Sequence, residues 1–256
     1  MTVFSNYARY YDLLYRDKDY NSEVGFIDQL IRQYAPKSEN LLELGCGTGC
    51  HGVVLAQKGY TIHGIDLSET MLSEAETRRA ELPEEVAKRL SFSHGNICTA
   101  RINKTFNAVI SIFHVMSYLT TNQELKSAFA TARAHLKQGG IFIFDCWYGP
   151  AVLTDRPAVR VKRLQDDMIE VTRIAEPVIT ANENYVDVNY QVIIRDKTTD
   201  KIDDIKETHR MRYLFEPEVR AFFADVGMEI TEFGEWMTGS LPGFDTWNVY
   251  FVGKVV

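Results

Sequence analysis

The chain has 256 residues, of which 45% are hydrophobic and 25% charged, and it carries a net charge of −7. A chain of this size can bury a core without disulfides, and an acidic balance argues against broad contacts with nucleic acid or membranes. The cysteines form no C-x-x-C pair, so no metal site is predicted. The chain shows neither a basic and apolar leader nor an apolar run of membrane-span length, so we expect a cytoplasmic protein with no membrane partner.

Predicted strands and helices alternate over the first part of the chain. A Tyr-rich start over residues 1–20 precedes a helix whose apolar residues run from Val24 to Tyr34 at helical spacing. The strands predicted next are Leu41–Leu44, Tyr60–Ile65, Leu90–His94, Ala108–Phe113 and Ile141–Asp145, and the helices between them include His51–Lys58, Glu69–Glu81 and one that Asn122 opens. This alternation predicts a parallel, doubly wound sheet with its ligand crevice at the carboxyl ends of the first and fourth strands.

The pattern changes after Pro150. Residues 158–176 and 184–215 alternate apolar and polar side chains, which indicates antiparallel strands with one solvated face. We therefore predict an α/β fold: a doubly wound, Rossmann-like seven-stranded sheet with an inserted antiparallel β-sheet after strand 5. Its parts are a cofactor-binding core with an N-terminal Tyr-rich lid over 1–150, an inserted subdomain over 151–215, and a C-terminal helix with closing strands over 216–256.

A glycine-rich sequence follows the first predicted strand. Glu43-Leu44-Gly45-Cys46-Gly47-Thr48-Gly49 places three glycines at alternate positions behind an acidic residue, and Asp66 ends the next strand. Glycines allow a tight turn and a close approach of backbone to ligand, and the N–H groups of the following helix then face that ligand. Asp66 can accept hydrogen bonds from both hydroxyls of a ribose.

Two kinds of cofactor fit this loop, a nicotinamide dinucleotide and S-adenosylmethionine. Gly47-x-Gly49-x-x-Gly52 matches the dinucleotide fingerprint, and Asp66 follows it at a suitable spacing along the sequence. A dinucleotide packs a diphosphate against the loop, however, and the Glu43 carboxylate would repel it. S-adenosylmethionine carries an ammonium and a sulfonium, which suit Glu43. Since the pattern resembles motif I of class I methyltransferases, we predict S-adenosylmethionine, held by Glu43, Gly45, Gly47, Gly49 and Asp66.

Other predicted cofactor contacts lie at strand ends. Leu67 and Met71 either flank the adenine or pack in the core. Class I methyltransferases often have an Asp after the third strand that accepts the adenine amino group; the matching Asn96 can accept the same bond, and the N–H of Ile97 can donate to the ring. Tyr15 and Tyr20 are our candidates for binding the methionine end.

Methyl transfer from a sulfonium is an in-line displacement, for which a protein supplies orientation, a dry pocket and a proton acceptor. His114, after the fourth strand, and His209, where the insert returns to the core, are the candidate acceptors. Each could instead make a structural hydrogen bond.

Substrate contacts are predicted from the later part of the chain. Arg210 and Arg212 share one strand face and could anchor a carboxylate or diphosphate, or pair with neighbouring acids. Trp147 and Tyr148, after the fifth strand, are expected to wall the substrate pocket or to cover the sheet.

Beyond the glycine loop, the chain resembles the dTDP-3-amino-sugar N-methyltransferases of the desosamine and mycaminose type. The likeness rests on Tyr11-Asp12-Leu13-Leu14-Tyr15, Ser68-Glu69-Thr70-Met71-Leu72 and Ser117-Tyr118-Leu119, and on the place of the insert. It implies methylation of the amino group of a nucleotide-linked sugar, a position for Tyr15 near the sulfonium, and a homodimer. A small-molecule O- or carboxyl methyltransferase, a NAD-dependent oxidoreductase and a non-catalytic cofactor-binding module stay open.

Overall fold

The computed structural model describes residues 13–256; most of the predicted N-terminal lid, with Tyr11, lies outside the described residues. The helices are α1 (Tyr20–Tyr34), α2 (Cys50–Gln57), α3 (Glu69–Ala80), α4 (Glu84–Ala87), α5 (Asn122–Ala134), α6 (Gly149–Thr154) and α7 (Glu216–Asp225). The strands are β1 (Asn40–Leu44), β2 (Thr61–Asp66), β3 (Leu90–His94), β4 (Phe106–Ser111), β5 (Leu136–Tyr148), β6 (Arg160–Gln165), β7 (Ile169–Thr180), β8 (Tyr185–Asp196), β9 (Ile202–Leu214), β10 (Met228–Glu235) and β11 (Asn248–Val255). A short 3-10 helix spans Val115–Tyr118.

The parallel part of the sheet follows the order β3-β2-β1-β4-β5, with β11 antiparallel to β5 and β10 antiparallel to β11. The strand order reverses between β1 and β4, so the connections from their carboxyl ends run to opposite faces of the sheet and leave a crevice at this edge. The predicted doubly wound α/β fold is therefore confirmed.

The core packs on both faces of this sheet. Consecutive side chains of a strand point to opposite faces, so Leu42 and Leu44 pack with α5 and α7, whereas Leu41 packs with α1 and α2. All three leucines are fully buried. Burial of such a side chain contributes roughly 1.5–3 kcal/mol, so a polar residue in β1 needs a specific reason.

The insert is joined directly to the core sheet. β5 continues past its expected end at Asp145, and its last residues, Trp147 and Tyr148, pair with Tyr213 and Leu214 of β9. Strands β9, β8, β7 and β6 thereby join the core strands β3, β2, β1, β4, β5, β11 and β10 in one sheet, which is continuous over eleven strands in the described part of the chain.

The insert is an antiparallel meander. β6 pairs with β7, β7 with β8, and β8 with β9. The division into parts over 1–150, 151–215 and 216–256 stays a prediction. No helix within residues 13–256 has the length and apolar character needed to cross a membrane.

Candidate functional site

A cleft of about 720 Å³ lies between the carboxyl ends of the core strands and one face of the insert. Many of the residues singled out in the sequence line it together. They are Tyr15, Tyr20, Gly45, Gly47, Asp66, Leu67, Met71, Asn96, Ile97, His114, Trp147 and His209. Glu43, Gly49, Tyr148, Arg210 and Arg212 are not on its wall.

The glycine loop has a backbone that favours glycine at all three positions. Gly45, Gly47 and Gly49 have φ values of +79°, +54° and +76°, in the left-handed region that other residues rarely adopt. A Cβ on Gly45 would lie 2.5 Å from Cγ1 of Val115, so the loop and the 3-10 helix pack backbone against side chain. Gly49 is the N-cap residue of α2 and shapes the turn without facing the cleft.

Asp66 lies at the carboxyl end of β2, beside this loop. Its Oδ2 accepts a hydrogen bond of 2.8 Å from the N–H of Gly47, and its Oδ1 accepts one of 2.9 Å from the N–H of Ser68. Burial raises the pKa of Asp66. Each carboxylate oxygen can accept a second bond, so this group is placed to accept from a polar ligand in the cleft.

The predicted adenine contacts occupy different environments. Leu67 is 50% exposed on the cleft wall, whereas Met71 is 3% exposed and packs in an apolar cluster with Leu14. Oδ1 of Asn96 accepts a hydrogen bond of 2.8 Å from the N–H of Cys98, which holds the amide in place. Its oxygen retains one lone pair for a ligand donor.

Glu43 does not reach the cleft surface, which corrects the predicted contact with the ligand. β1 is buried on both faces, so the Glu43 side chain is enclosed and 1% exposed. Its Oε1 lies 4.0 Å from Nδ1 of His51, whose Nε2 lies 2.8 Å from Oε2 of Glu23. Burial and the charge of Asp66 raise the pKa of Glu43 to about 8. Glu43 therefore lies behind the wall of the cleft, beside His51.

The two predicted tyrosines lie on aromatic neighbours. The ring of Tyr15 meets Phe113 edge to face at 4.9 Å between centroids, and that of Tyr20 meets His51 at 5.0 Å. Both rings line the cleft near the glycine loop.

His114 is held at the cleft by a buried carboxylate. Phe113 and His114 have φ values of +69° and +62°, which turn the chain sharply after β4. The N–H of His114 donates to Oδ1 of Asp145 at 3.1 Å, and Nδ1 of the ring lies 2.7 Å from Oδ2, off the line of a hydrogen bond. Asp145 is 1% exposed, so this pairing fixes the imidazole against the core.

His209 belongs to a second histidine–carboxylate pair, on the insert. Its Nδ1 lies 2.8 Å from the hydroxyl of Tyr118, and its Nε2 lies 3.3 Å from Oε2 of Glu207. The Tyr118 side chain also lines the cleft. No role was predicted for Tyr118 or Glu207, although Tyr118 lies in one of the segments that carry the family resemblance.

The predicted anchors Arg210 and Arg212 face away from the cleft, which corrects that prediction. Both guanidinium groups are engaged: Arg210 binds Asp187 through two bonds of 2.7 and 2.8 Å, and Arg212 binds Asn122 and Glu218 at 2.8 Å each. Alternation along β9 sends His209 into the cleft and the two arginines to the other face.

Tyr148, which was predicted to wall the substrate pocket, also lies outside the cleft. Its ring packs against Phe233 at 5.7 Å, in the cluster under α7, while the preceding Trp147 lines the cleft. Successive residues of a strand point to opposite faces, so only one of this pair could face a ligand.

Two other arginines, Arg160 and Arg173, line the cleft on the insert side. Arg173 lies opposite Lys162 in the β6–β7 register, so Arg160, Lys162 and Arg173 share one sheet face. Alternation within β6 places Arg160 and Lys162 on one face, and Arg173 is brought beside them only by the pairing of β7 with β6.

Comparisons with known proteins find similar methyltransferases. A family model described as a methyltransferase domain matches residues 41–140. The chain is 29% identical over 240 residues to the dTDP-3-amino-3,4,6-trideoxy-alpha-D-glucopyranose N,N-dimethyltransferase of Streptomyces venezuelae, which covers 93% of this chain and 94% of that one. The crystal structure of Streptomyces venezuelae DesVI aligns with a TM-score of 0.80 at 26% identity over 98% of each chain. The SAM-bound amino pentose methyltransferase CalS10 of Micromonospora echinaspora aligns with a TM-score of 0.76 at 24% identity over 99% and 98% of the two chains.

Proposed function

We propose that this chain, a class I S-adenosylmethionine-dependent methyltransferase, methylates the amino group of a nucleotide-linked sugar. The observation that carries the proposal is a likeness to an amino-sugar N,N-dimethyltransferase that extends over 93% of the chain and so includes the insert. The insert forms the wall of the cleft that faces the glycine loop, where an acceptor would lie.

The residues on the core side of the cleft fit S-adenosylmethionine. Gly45 has no room for a Cβ, and the N–H groups that follow it lead into α2. Asp66 would accept hydrogen bonds from the ribose hydroxyls, and Leu67 and Asn96 would border the adenine. When bound, the cofactor supplies an activated methyl group on a sulfonium.

His114 is the proposed proton acceptor for the amine. An amine attacks only through a free lone pair, so an ammonium must lose a proton before transfer. The buried Asp145 carboxylate beside Nδ1 would stabilise the imidazolium that forms. Trp147, whose ring centroid lies 6.4 Å from that of His114, would exclude water from the same side.

Arg160 and Arg173 are the proposed anchors of the diphosphate. Guanidinium groups bind phosphate oxygens through paired hydrogen bonds, and both side chains face the cleft from the insert. Because these arginines lie on the insert and His114 lies on the core side, the sugar would lie between the diphosphate anchor and His114.

The proposal can be tested with the purified chain, S-adenosylmethionine and three acceptors: a dTDP-3-amino sugar, the same amino sugar without its nucleotide, and a dTDP-sugar with a hydroxyl in place of the amine. We expect mass spectrometry to show one or two added methyl groups on the first alone. Methylation of the hydroxyl sugar would favour an O-methyltransferase, and no methylation of any acceptor would contradict the proposal.

Two variants assign the roles. Arg160→Ala should raise the KM for the dTDP-amino sugar about tenfold or more, whereas Arg163→Ala on the same strand should not, because Arg163 lies outside the cleft.

His114→Asn should lower kcat about 100-fold with little change in cofactor affinity. The control His63→Asn removes a histidine of β2 that is held by Ser91 and Ser93 of β3, and it should leave kcat unchanged.

A further inference from the structure

We propose that Tyr118 is a second residue that contacts the acceptor amine, and that His209 and Glu207 position its hydroxyl and take up its proton. The inference rests on the proposed function and extends it to the opposite wall of the cleft. It arises from a chain of side chains that joins the core to the insert.

The chain of contacts has a defined direction. A carboxylate only accepts, so the 3.3 Å contact between Glu207 and Nε2 of His209 places the imidazole proton on Nε2. Nδ1 is then an acceptor, and the 2.8 Å contact with Tyr118 is a bond that the phenol donates. The order hydroxyl, imidazole, carboxylate is that of a proton-accepting triad.

The surroundings hold this arrangement in place. His209 is 2% exposed, and the ring of Tyr190 meets it edge to face at 4.9 Å. A buried triad of this kind keeps its geometry because no water competes for its bonds. Tyr118 also faces the cleft, so its hydroxyl is the end of the chain that a ligand can reach.

Tyr118 would not serve as an acceptor by itself. Burial raises the pKa of its hydroxyl, and the other groups that act on it are Tyr15, Tyr190, Glu207 and Arg173. The hydroxyl therefore keeps its proton at neutral pH and accepts another only as its own passes to His209. His209 and Glu207 are positioning residues in this sense, because they act through Tyr118.

The proton balance is complete within these groups. The ammonium of the bound sugar gives one proton to the Tyr118 oxygen, and the Tyr118 proton moves to Nδ1 of His209. The result is a neutral amine with a free lone pair, a neutral phenol and an imidazolium beside the Glu207 carboxylate. The imidazolium returns its proton to solvent before the next round.

Two acceptors on one segment suit a nitrogen that is methylated twice. His114 and Tyr118 lie at the two ends of one turn, which is held to β5 by a 3.3 Å bond from the N–H of Trp147 to Oγ of Ser117. An ammonium that already carries one methyl group keeps two protons, and the methyl group restricts the directions in which they can point. Tyr118 would then accept the proton that His114 cannot reach.

The test compares Tyr118→Phe, His209→Asn and Glu207→Gln with the wild-type enzyme on the dTDP-amino sugar. We expect each to lower kcat at least about tenfold at neutral pH while S-adenosylhomocysteine binds unchanged in calorimetry. The loss should shrink as pH rises, because solvent deprotonates the ammonium at high pH. A purely structural role would lower kcat equally at every pH.

A control and a spectroscopic readout separate the outcomes. Tyr213→Phe removes another buried hydroxyl from β9, one bonded to the carbonyl of Ala181 outside the cleft, and should retain wild-type kcat. Nitrogen NMR of the His209 ring should show a protonated Nε2 in the wild type and a changed Nδ1 shift in Tyr118→Phe. An active wild type with unchanged kcat in Tyr118→Phe, or a protonated Nδ1, would overturn only this inference. A wild type inactive on every amino sugar would overturn the proposed function as well.

Discussion

Single side chains in this protein differ in role according to how far they lie from water. Asp66 and Glu43 are both acidic residues beside the glycine loop, yet Asp66 has two backbone donors and faces the cleft, while Glu43 is 1% exposed. Oε2 of Glu43 has no hydrogen-bond partner among the described residues. A buried carboxyl without a full set of donors favours its neutral form, which makes Glu43 sensitive to pH.

Removing the Asp66 carboxylate should weaken cofactor binding. We expect Asp66→Ala to reduce the affinity for S-adenosylhomocysteine by about 1–3 kcal/mol, because charge-assisted hydrogen bonds to the ribose are lost. Calorimetric titration measures this loss, and Asp66→Asn, which keeps one acceptor oxygen, should recover part of it. Unchanged affinity in Asp66→Ala would remove Asp66 from the site.

Glu43 should make the stability of the cofactor-free protein fall as pH rises. Its pKa is raised from 4.5 to about 8 on folding. Below the lower value it is neutral in both states; between the two values only the unfolded chain ionises, so the free energy of unfolding falls by at most about 1.4 kcal/mol per pH unit. Glu43→Gln should remove this slope, so its stability relative to wild type should grow across that range.

Urea unfolding at several pH values measures the effect. Glu229→Gln, on an exposed position of β10, is the matched control and should leave the slope unchanged. Parallel curves for wild type and Glu43→Gln would show that the Glu43 pKa is not raised.

At the scale of elements, close packing between loops and strands decides where the cleft lies. The glycine loop after β1 touches the 3-10 helix after β4 through Gly45 and Val115. On the other side, β9 is tied to the core by the buried Arg212, which bonds Asn122 at the start of α5 and Glu218 in α7. The first contact packs the core wall of the cleft, and the second attaches the insert to the core.

Gly45→Ala should harm both stability and cofactor binding. Gly227 has a similar φ of +69° but no atom within 4 Å of an added Cβ, so Gly227→Ala measures the backbone strain alone, roughly 1–2 kcal/mol. Gly45→Ala adds a clash with Val115 and should lose more, together with affinity for S-adenosylhomocysteine. The double variant Gly45→Ala, Val115→Ala should recover part of the loss; equal stability of the two single variants would contradict the clash.

Arg212 and Arg210 should differ sharply in their effect on stability. Arg212→Ala leaves the partly buried Glu218 without its partner and should lower the free energy of unfolding by roughly 3 kcal/mol. Arg210→Ala removes a pair whose arginine side chain is 48% exposed, and should cost less than about 1 kcal/mol. Chemical denaturation distinguishes these values, and equal losses would show that Arg212 does not tie the insert to the core.

At the scale of the whole molecule, the insert is part of the same sheet as the core. β9 pairs in parallel with the end of β5 at Trp147 and Tyr213, so the cleft wall and the glycine loop belong to one hydrogen-bonded framework. The proposed acceptor site can therefore be positioned without a flexible hinge between two separate sheets. The likeness to DesVI over 98% of both chains agrees with a framework shared along its length.

The homodimer implied by the family resemblance stays a prediction for the whole molecule. Light scattering of the purified protein should give twice the mass of one chain. A single-chain mass at the highest concentration tested would contradict it.

The sequence by itself determined the features that depend on neighbouring residues. Alternation of strands and helices predicted the doubly wound core, and glycines at 45, 47 and 49 followed by Asp66 predicted the loop and its acid. These signals are local, because a turn or a strand period is set by residues next to one another. The family resemblance in the first half of the chain rests on the same kind of signal.

Only the tertiary structure decided which distant side chains share the cleft. Period two correctly paired Arg210 with Arg212, but it could not say which face of β9 meets the core. Tyr118 and His209 are 91 residues apart and meet because β9 docks beside the turn after β4. Arg173 reaches the cleft through its register with β6. Such contacts depend on strand pairing and packing across the whole fold, and no short stretch of sequence specifies them.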